Sequence, residues 1–94
     1  MSSDYIYDYD SYMRSGDSWK RSAESCENSR DYLTAKSRYF DAASEYDKAA
    51  DIAWSAGDTS RASAARSASS TCNSLARDMA YKYDDAVRAN LKGW

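Results

Sequence analysis

The stretch YLTAKSRYFDAASEYDKAADIAWSAG, residues 32–57, decides the fold of this chain. Two stripes of residues, each with seven-residue spacing, run along it. One stripe is Tyr32, Tyr39, Tyr46 and Ala53, and the other is Leu33, Phe40, Asp47 and Trp54. At about 100° per residue both stripes gather on one broad helical face, and polar residues fall on the opposite face. The stretch therefore predicts an amphipathic helix whose apolar face is too wide for a single neighbour.

A tight turn and a second long helix follow this stretch. Gly57 stands where a helix commonly ends, and Asp58 or Thr59 can cap a new helix, so we predict an αα-hairpin. The new helix should cover residues 59–92. Its seam alternates steps of three and four residues, which is the coiled-coil repeat. The seam residues are Ala62, Ala65, Ser69, Cys72, Ala76, Met79, Tyr83, Ala86 and Asn90.

Folding the hairpin at Gly57 sets residues opposite each other when their numbers sum to about 116. Three pairs should then place a large side chain against a partner on the seam: Trp54 with Ala62, Phe40 with Ala76, and Leu33 with Tyr83. The same register brings Asp51 toward Arg66. Cys26 and Cys72 come out far apart, so we expect no disulfide within the chain.

The N-terminal part divides at Gly16. Asp17 is a good N-cap, and Trp19, Ala23 and Cys26 follow at helical spacing, so we predict a first helix over residues 18–28. A bend at Asn28 should separate it from the next helix, residues 31–56; one bent helix is the alternative. Residues 1–16 form an acidic tyrosine arm before the bundle of residues 17–94, and its spacing fits either an extended segment or one helical face.

These elements predict an all-α fold: a small antiparallel helical hairpin, or three-helix bundle, with a coiled-coil-like seam. Residues around the hairpin resemble the first helix and turn of a tetratricopeptide repeat. The resemblance rests on Tyr46, Ala49, Ala50, Ala53, Gly57, Asp58 and Ala62. Arg66 then replaces the large aromatic residue of that family, and no second copy follows about 34 residues on. We take no function from the resemblance.

Composition excludes several classes of function. The 94 residues suffice for one domain, carry a net charge of −2, and contain no histidine. Because no acidic loop bears the required Gly and no Glu-x-x-His pair occurs, we predict no enzyme, no cofactor and no metal site. The chain contains no apolar run of about 18 residues, so we predict no membrane span. No run of basic residues appears, so we expect no direct binding of nucleic acid. The two cysteines lack CxxC spacing, which suits a reducing compartment, and we therefore expect a cytoplasmic location.

We therefore expect a non-catalytic protein–protein interaction module that also self-associates, as a homodimer for example. Tyrosines bind well at interfaces and the interleaved aspartates favour a partner with a basic surface. The expected partner-binding residues are Asp4, Tyr5, Tyr7, Asp8, Tyr9, Asp10, Tyr12, Ile52 and Tyr81. One alternative is a small inhibitor of phage or mobile-element type, similar to anti-CRISPR proteins, that blocks a nucleic-acid-binding protein. The other alternative is a structural helical oligomer. The arm could equally serve to complete a thin core.

Overall fold

The computed structural model describes residues 4–92, which form three α-helices joined by two tight turns. The helices are α1 (Asp4–Asn28), α2 (Tyr32–Ser55) and α3 (Thr59–Lys92). Both α1 and α3 pack along α2, whereas the backbones of α1 and α3 come close to each other at few points. The bundle is elongated, with Cα extents of 65 × 17 × 12 Å. The all-α prediction is confirmed, and the stretch that decides the fold is its central helix.

The turn between α2 and α3 has the predicted chemistry. Gly57 takes a left-handed conformation with φ of 78°, which favours glycine. The amide of Asp58 donates to the carbonyl of Ala53 at 2.9 Å, and this bond closes the end of α2. The Asp58 carboxylate then accepts from the amide of Arg61 at 3.1 Å and caps α3. The predicted start of α3 at Thr59 is confirmed.

The turn between α1 and α2 is a full reversal of the chain and not a bend. Arg30 adopts a positive φ of 62°, and the amide of Asp31 donates to the carbonyl of Cys26 at 2.9 Å. The Asp31 side chain accepts from the amide of Thr34 at 3.3 Å and begins α2. The predicted break after Asn28 is confirmed, and the continuous bent helix is excluded.

The predicted break at Gly16 is wrong, because α1 runs through it without interruption and begins at Asp4 rather than near residue 18. The boundary expected between arm and bundle thus falls inside a helix, and Asp17 is no N-cap. Gly16 serves helix packing instead. A Cβ atom built on it would lie 2.6 Å from Cε1 of Tyr46 and 2.7 Å from Cδ1, so the Tyr46 ring fills the space of the missing side chain.

Alanines and tyrosines form the core. Tyr39 and Tyr46, both from α2, are 1% and 2% exposed. The alanines on all three helices let the backbones approach closely, and the rings fill the space that remains. One cluster contains Ala23, Ala35, Tyr39, Ala42, Ala43, Tyr46, Cys72, Ala76 and Met79. The second, nearer the α2–α3 turn, contains Tyr9, Ala49, Ala50, Ala53, Ala62 and Ala65.

The hydroxyls of the two buried α2 tyrosines reach carboxylates on α1. Tyr46 donates to Asp17 at 2.5 Å, and Tyr39 donates to Glu27 at 2.8 Å. Burial raises the pKa of each hydroxyl, and the neighbouring carboxylate raises it further. Glu27 also accepts from Lys82 of α3, which lowers the pKa of the Glu27 carboxyl. One carboxylate therefore links all three helices.

The hairpin register is confirmed, but the expected burial of the large side chains is wrong. Arg66 and Asp51 form an exposed ion pair at 3.7 Å, as the register requires. Ala62 and Ala76 are buried, yet Leu33, Phe40 and Trp54 are all exposed. The last three predicted seam residues, Tyr83, Ala86 and Asn90, are exposed too, so the seam is buried only as far as Met79. Tyr39, Tyr46 and the alanines of α2 already fill the seam, so the second stripe lies at its edge. Cys26 and Cys72 are free thiols.

Replacing Gly16 by Ala should destabilise the protein. Alanine gains about 1 kcal/mol of helix propensity, but its methyl group must displace a buried, hydrogen-bonded ring, and overpacking of this kind costs about 1–3 kcal/mol. We expect a net loss of about 1 kcal/mol in urea denaturation. Ser18→Ala, at an exposed position of the same helix, is the control and should stabilise slightly. An equal gain for both variants would contradict the close contact between Gly16 and Tyr46.

Alkaline pH should unfold the protein through Tyr39 and Tyr46. Their ordinary pKa is 10.0 and the folded state raises it, so the unfolded chain loses these protons first. Stability is therefore complete below about pH 10 and falls above it, by up to about 1.4 kcal/mol per pH unit for each tyrosine. Urea titrations at increasing pH should show a shallower decline for Tyr46→Phe. The control Tyr81→Phe, at an exposed position, should keep the original slope.

Candidate protein-binding surface

Three of the N-terminal tyrosines lie against the bundle. Tyr9 is 7% exposed, packs against alanines of α2 and α3, and donates its hydroxyl to the carbonyl of Arg61 at 3.3 Å. Tyr5 donates to the Asp58 carboxylate at 2.9 Å, which raises the pKa of Tyr5. Tyr12 is half-buried, with the Lys48 ammonium 5.8 Å from its ring centre. These tyrosines tie α1 to the α2–α3 turn and help to complete the core.

Tyr7 and the acidic side chains of the arm are exposed. Tyr7 is 73% exposed, and Asp4, Asp8 and Asp10 are exposed as well. The arm therefore divides by helical spacing into an inner tyrosine face and an outer face that is mainly acidic. Its outer face keeps the charge that the sequence suggested for binding, but it retains only one of the four tyrosines.

Ile52 and Tyr81 do not belong to one surface. Ile52 is half-buried beside Tyr5, close to the α2–α3 turn, and joins the second core cluster. Tyr81 is 72% exposed and lies next to Lys82, which reaches Glu27 near the other end of the bundle. The two residues are therefore at opposite ends of the molecule, and Ile52 contributes mainly to packing.

The largest exposed side chains of α2 form one stripe. Leu33 is 54% exposed, Phe40 is 41% exposed and Trp54 is 63% exposed. Asp47, which completes the seven-residue series, is exposed too. Large aromatic side chains exposed in a row on a helix are typical of interaction sites, whereas scattered apolar residues are ordinary.

This stripe lies on the side of α2 that faces away from α1. Contacts with α1 come from the opposite flank of α2, where the Arg38 guanidinium lies 5.1 Å from the Trp19 ring centre. The stripe instead adjoins α3, because Asp51, one turn from Trp54, pairs with Arg66. Helix α1 therefore leaves the stripe uncovered.

A matching stripe follows the adjoining flank of α3. Starting from Arg66, steps of seven residues lead to Asn73, Ala80 and Val87, and Val87 is 38% exposed. Tyr83 and Leu91, one turn before and after Val87, are exposed as well. We name the two stripes together the α2–α3 edge. It consists of Leu33, Phe40, Asp47, Trp54, Arg66, Asn73, Ala80 and Val87.

The Cys72 thiol is poorly placed to react. Cys72 is fully buried, and burial raises the pKa of its thiol, which disfavours the reactive thiolate. Within residues 4–92, no group of three Cys, Asp or Glu side chains could hold a metal ion. None of the three helices over that range is long and apolar enough to cross a membrane.

The sequence indicated that the Leu33 stripe needed a cover, but it did not select these residues as a site. The missing signal was the α3 stripe. Its members directly follow every other seam residue: Arg66 follows Ala65, for example, and Asn73 follows Cys72. Of the four, only Val87 is strongly apolar. Reading both helices in the hairpin register would have placed the two stripes side by side.

Comparisons with known proteins add no family to this description: no protein-family model, no curated protein and no solved structure matches the chain.

The inner and outer tyrosines should differ sharply on substitution. Tyr9→Ala removes a buried ring and its hydrogen bond, and we expect a loss of about 3 kcal/mol in the free energy of unfolding. Tyr7→Ala removes an exposed ring from the same helix and should cost less than about 0.5 kcal/mol. Thermal and urea denaturation measure both. Similar losses for the two variants would contradict the division of the arm into two faces.

Proposed function

We propose that this protein is a non-catalytic protein–protein interaction module that binds through the α2–α3 edge. The observation that carries the proposal is the uncovered row of Leu33, Phe40 and Trp54. Aromatic residues of this size contribute most of the binding free energy at protein interfaces, because they bury a large area with few rotatable bonds.

The composition of the edge supports this role. Asp47, Asp51 and Arg66 flank the apolar residues, and a polar rim around an apolar centre is the usual anatomy of an interface. The tyrosines Tyr39 and Tyr46 hold α2 against α1 from behind, so the edge is carried by the best-packed helix of the bundle. A rigid surface loses little conformational freedom when it binds.

A second candidate uses the outer face of α1. Tyr7, Asp8 and Asp10 are exposed together on the N-terminal half of that helix. An acidic face with an aromatic residue suits a basic, nucleic-acid-binding partner, as an inhibitor of such a protein would require. Charge reversal at Asp8 and Asp10 should abolish binding if this face is used, and leave it unchanged if the α2–α3 edge is used.

A photo-crosslinking amino acid tests the proposed edge. We expect benzoylphenylalanine at Phe40, in cells of the source organism, to give discrete adducts that mass spectrometry identifies, because this position lies at the centre of the edge. The matched control is the same amino acid at Tyr81, which is more exposed but lies outside the edge. An identified adduct partner should then bind the purified protein, and Phe40→Glu should weaken that binding.

The proposal fails if position 40 gives no adduct, or gives only those seen from position 81. A third variant carries the same amino acid at Tyr7, and adducts from that position without any from position 40 would favour the acidic face of α1. Circular dichroism of each variant shows whether its helices are intact, so that loss of binding is not confused with loss of fold.

A further inference from the structure

We propose that the N-terminal part of α1, residues 4–12, is a latch that docks on the bundle and leaves it as one unit while the rest of the fold stays intact. We call this segment the latch. It is helical when it is docked and unfolded when it is released. The inference does not depend on the proposed function, because it concerns the start of α1 and not the α2–α3 edge.

The latch has a poor helix sequence. It reads DYIYDYDSY, so it contains only Asp, Tyr, Ile and Ser. None of the strong helix-forming residue types occurs in it, and a segment this short is not stable as an isolated helix in water. Asp4 in the first turn interacts favourably with the helix dipole, but one such interaction is small beside the deficit summed over the segment. The latch is therefore helical because it is docked.

Three tyrosine rings hold the latch on the bundle. Tyr9 is buried against alanines of α2 and α3, and its hydroxyl donates to the carbonyl of Arg61 at 3.3 Å. Tyr5 donates to the Asp58 carboxylate at 2.9 Å, and Tyr12 packs half-buried against the same cluster as Tyr9. These rings share one face of α1 only while the backbone between them is helical. Docking of the rings and formation of the helix are therefore one event.

The bundle surface below the latch consists of small side chains. Apart from the Tyr9 ring, the buried residues of this cluster are Ala49, Ala50, Ala53, Ala62 and Ala65. They belong to α2 and α3, which pack along each other directly. Release of the latch thus removes the burial of its rings and leaves the α2–α3 hairpin in place.

The rest of α1 is held by stronger contacts. The Tyr46 ring packs on Gly16, and its hydroxyl donates to Asp17 at 2.5 Å. Glu27 accepts from Tyr39 at 2.8 Å. Both rings are almost fully buried, and hydrogen bonds to charged acceptors are stronger than those to neutral ones. The contacts of α1 therefore strengthen from Gly16 onward, and glycine is also where a helix most easily ends.

Release of the latch changes the surface that the protein presents. In the docked state Tyr7 is 73% exposed, whereas Tyr9 is buried and Tyr5 and Tyr12 are half-buried. In the released state all four rings are accessible, on an unfolded segment that also carries three aspartates. Segments that open at low cost are the ones that proteins use in binding and regulation. The latch therefore controls access to the tyrosines of the N-terminal arm.

Amide hydrogen exchange of the full chain at neutral pH, followed residue by residue by NMR, tests the inference. The amides of residues 8–12 should share one protection factor, because one opening event exposes them all. We expect this factor to be at least about 30-fold smaller than that of residues 18–28, which exchange only when the whole chain unfolds. Fraying of a helix end gives a different result, since protection would then rise steadily from residue 8 inward.

Three substitutions separate release of the latch from global unfolding. Tyr39→Phe removes the bond to Glu27, far from the latch, and should speed exchange of residues 18–28 by about 30-fold while residues 8–12 stay unchanged. Tyr5→Phe removes only the hydroxyl that reaches Asp58, and should speed exchange by about 5-fold at each of residues 8–12. Tyr7→Phe is the matched control, and loss of its exposed hydroxyl should change neither rate.

Tyr9→Ala tests whether the remaining bundle stands without the latch. We expect circular dichroism to lose the helical signal of residues 4–12 alone, and residues 18–28 to stay protected from exchange. Complete unfolding of this variant overturns the inference.

Two results of the exchange measurement also overturn it. Protection that increases residue by residue from position 8 means simple fraying. Faster exchange of residues 8–12 in Tyr39→Phe means that the segment opens only when the whole chain unfolds.

Discussion

The packing of the Tyr46 ring onto the backbone of Gly16 is the contact on which the rest of the bundle depends. It places a large ring where two helices approach closely, and the hydroxyl emerges at the rim to donate to Asp17. The hydroxyl of Tyr39, likewise a buried ring, donates to the carboxylate of Glu27. A chain with only seven Leu, Ile, Val and Phe residues thus forms a core from rings seated among alanines. Because each hydroxyl finds a carboxylate, the rings are buried without leaving a polar group unsatisfied.

The features that depend on residues close together in the sequence, namely the turns and the helix caps beside them, could be predicted from the sequence. Gly57 and Asp58 predicted the second turn, folding at Gly57 predicted the register of α3 with α2, and the three-and-four spacing of the seam predicted that α3 is one long helix. Gly16 was misread, because glycine usually marks the end of a helix and the ring that requires it comes from a residue 30 positions later. The exposure of Trp54 was missed for a similar reason: spacing groups residues on a face, but it does not say which part of a wide face the neighbours cover.

Burial also changes which residues bear on function. The tyrosine arm suggested a binding segment, yet Tyr5 and Tyr9 use their rings and hydroxyls to close the bundle. Two large exposed aromatic residues, Phe40 and Trp54, lie instead on α2, within the stretch that the core already uses. One helix therefore serves two purposes: its tyrosine stripe organises the fold, and its Leu33 stripe offers a surface. This division was hidden because the two stripes differ by one residue in phase.

The backbones of α1 and α3 come close to each other at few points, and this affects how the chain reaches its fold. Each helix packs on the one that follows it, so nearly all of the tertiary structure consists of two neighbouring hairpins. Such topologies close short loops and fold rapidly. The few links that span the whole chain, such as Lys82 with Glu27, can form last, after both hairpins have aligned the ends. During synthesis, the hairpin of α1 and α2 would emerge first. The alanines of α2 that pack against α3 would stay exposed until α3 emerges.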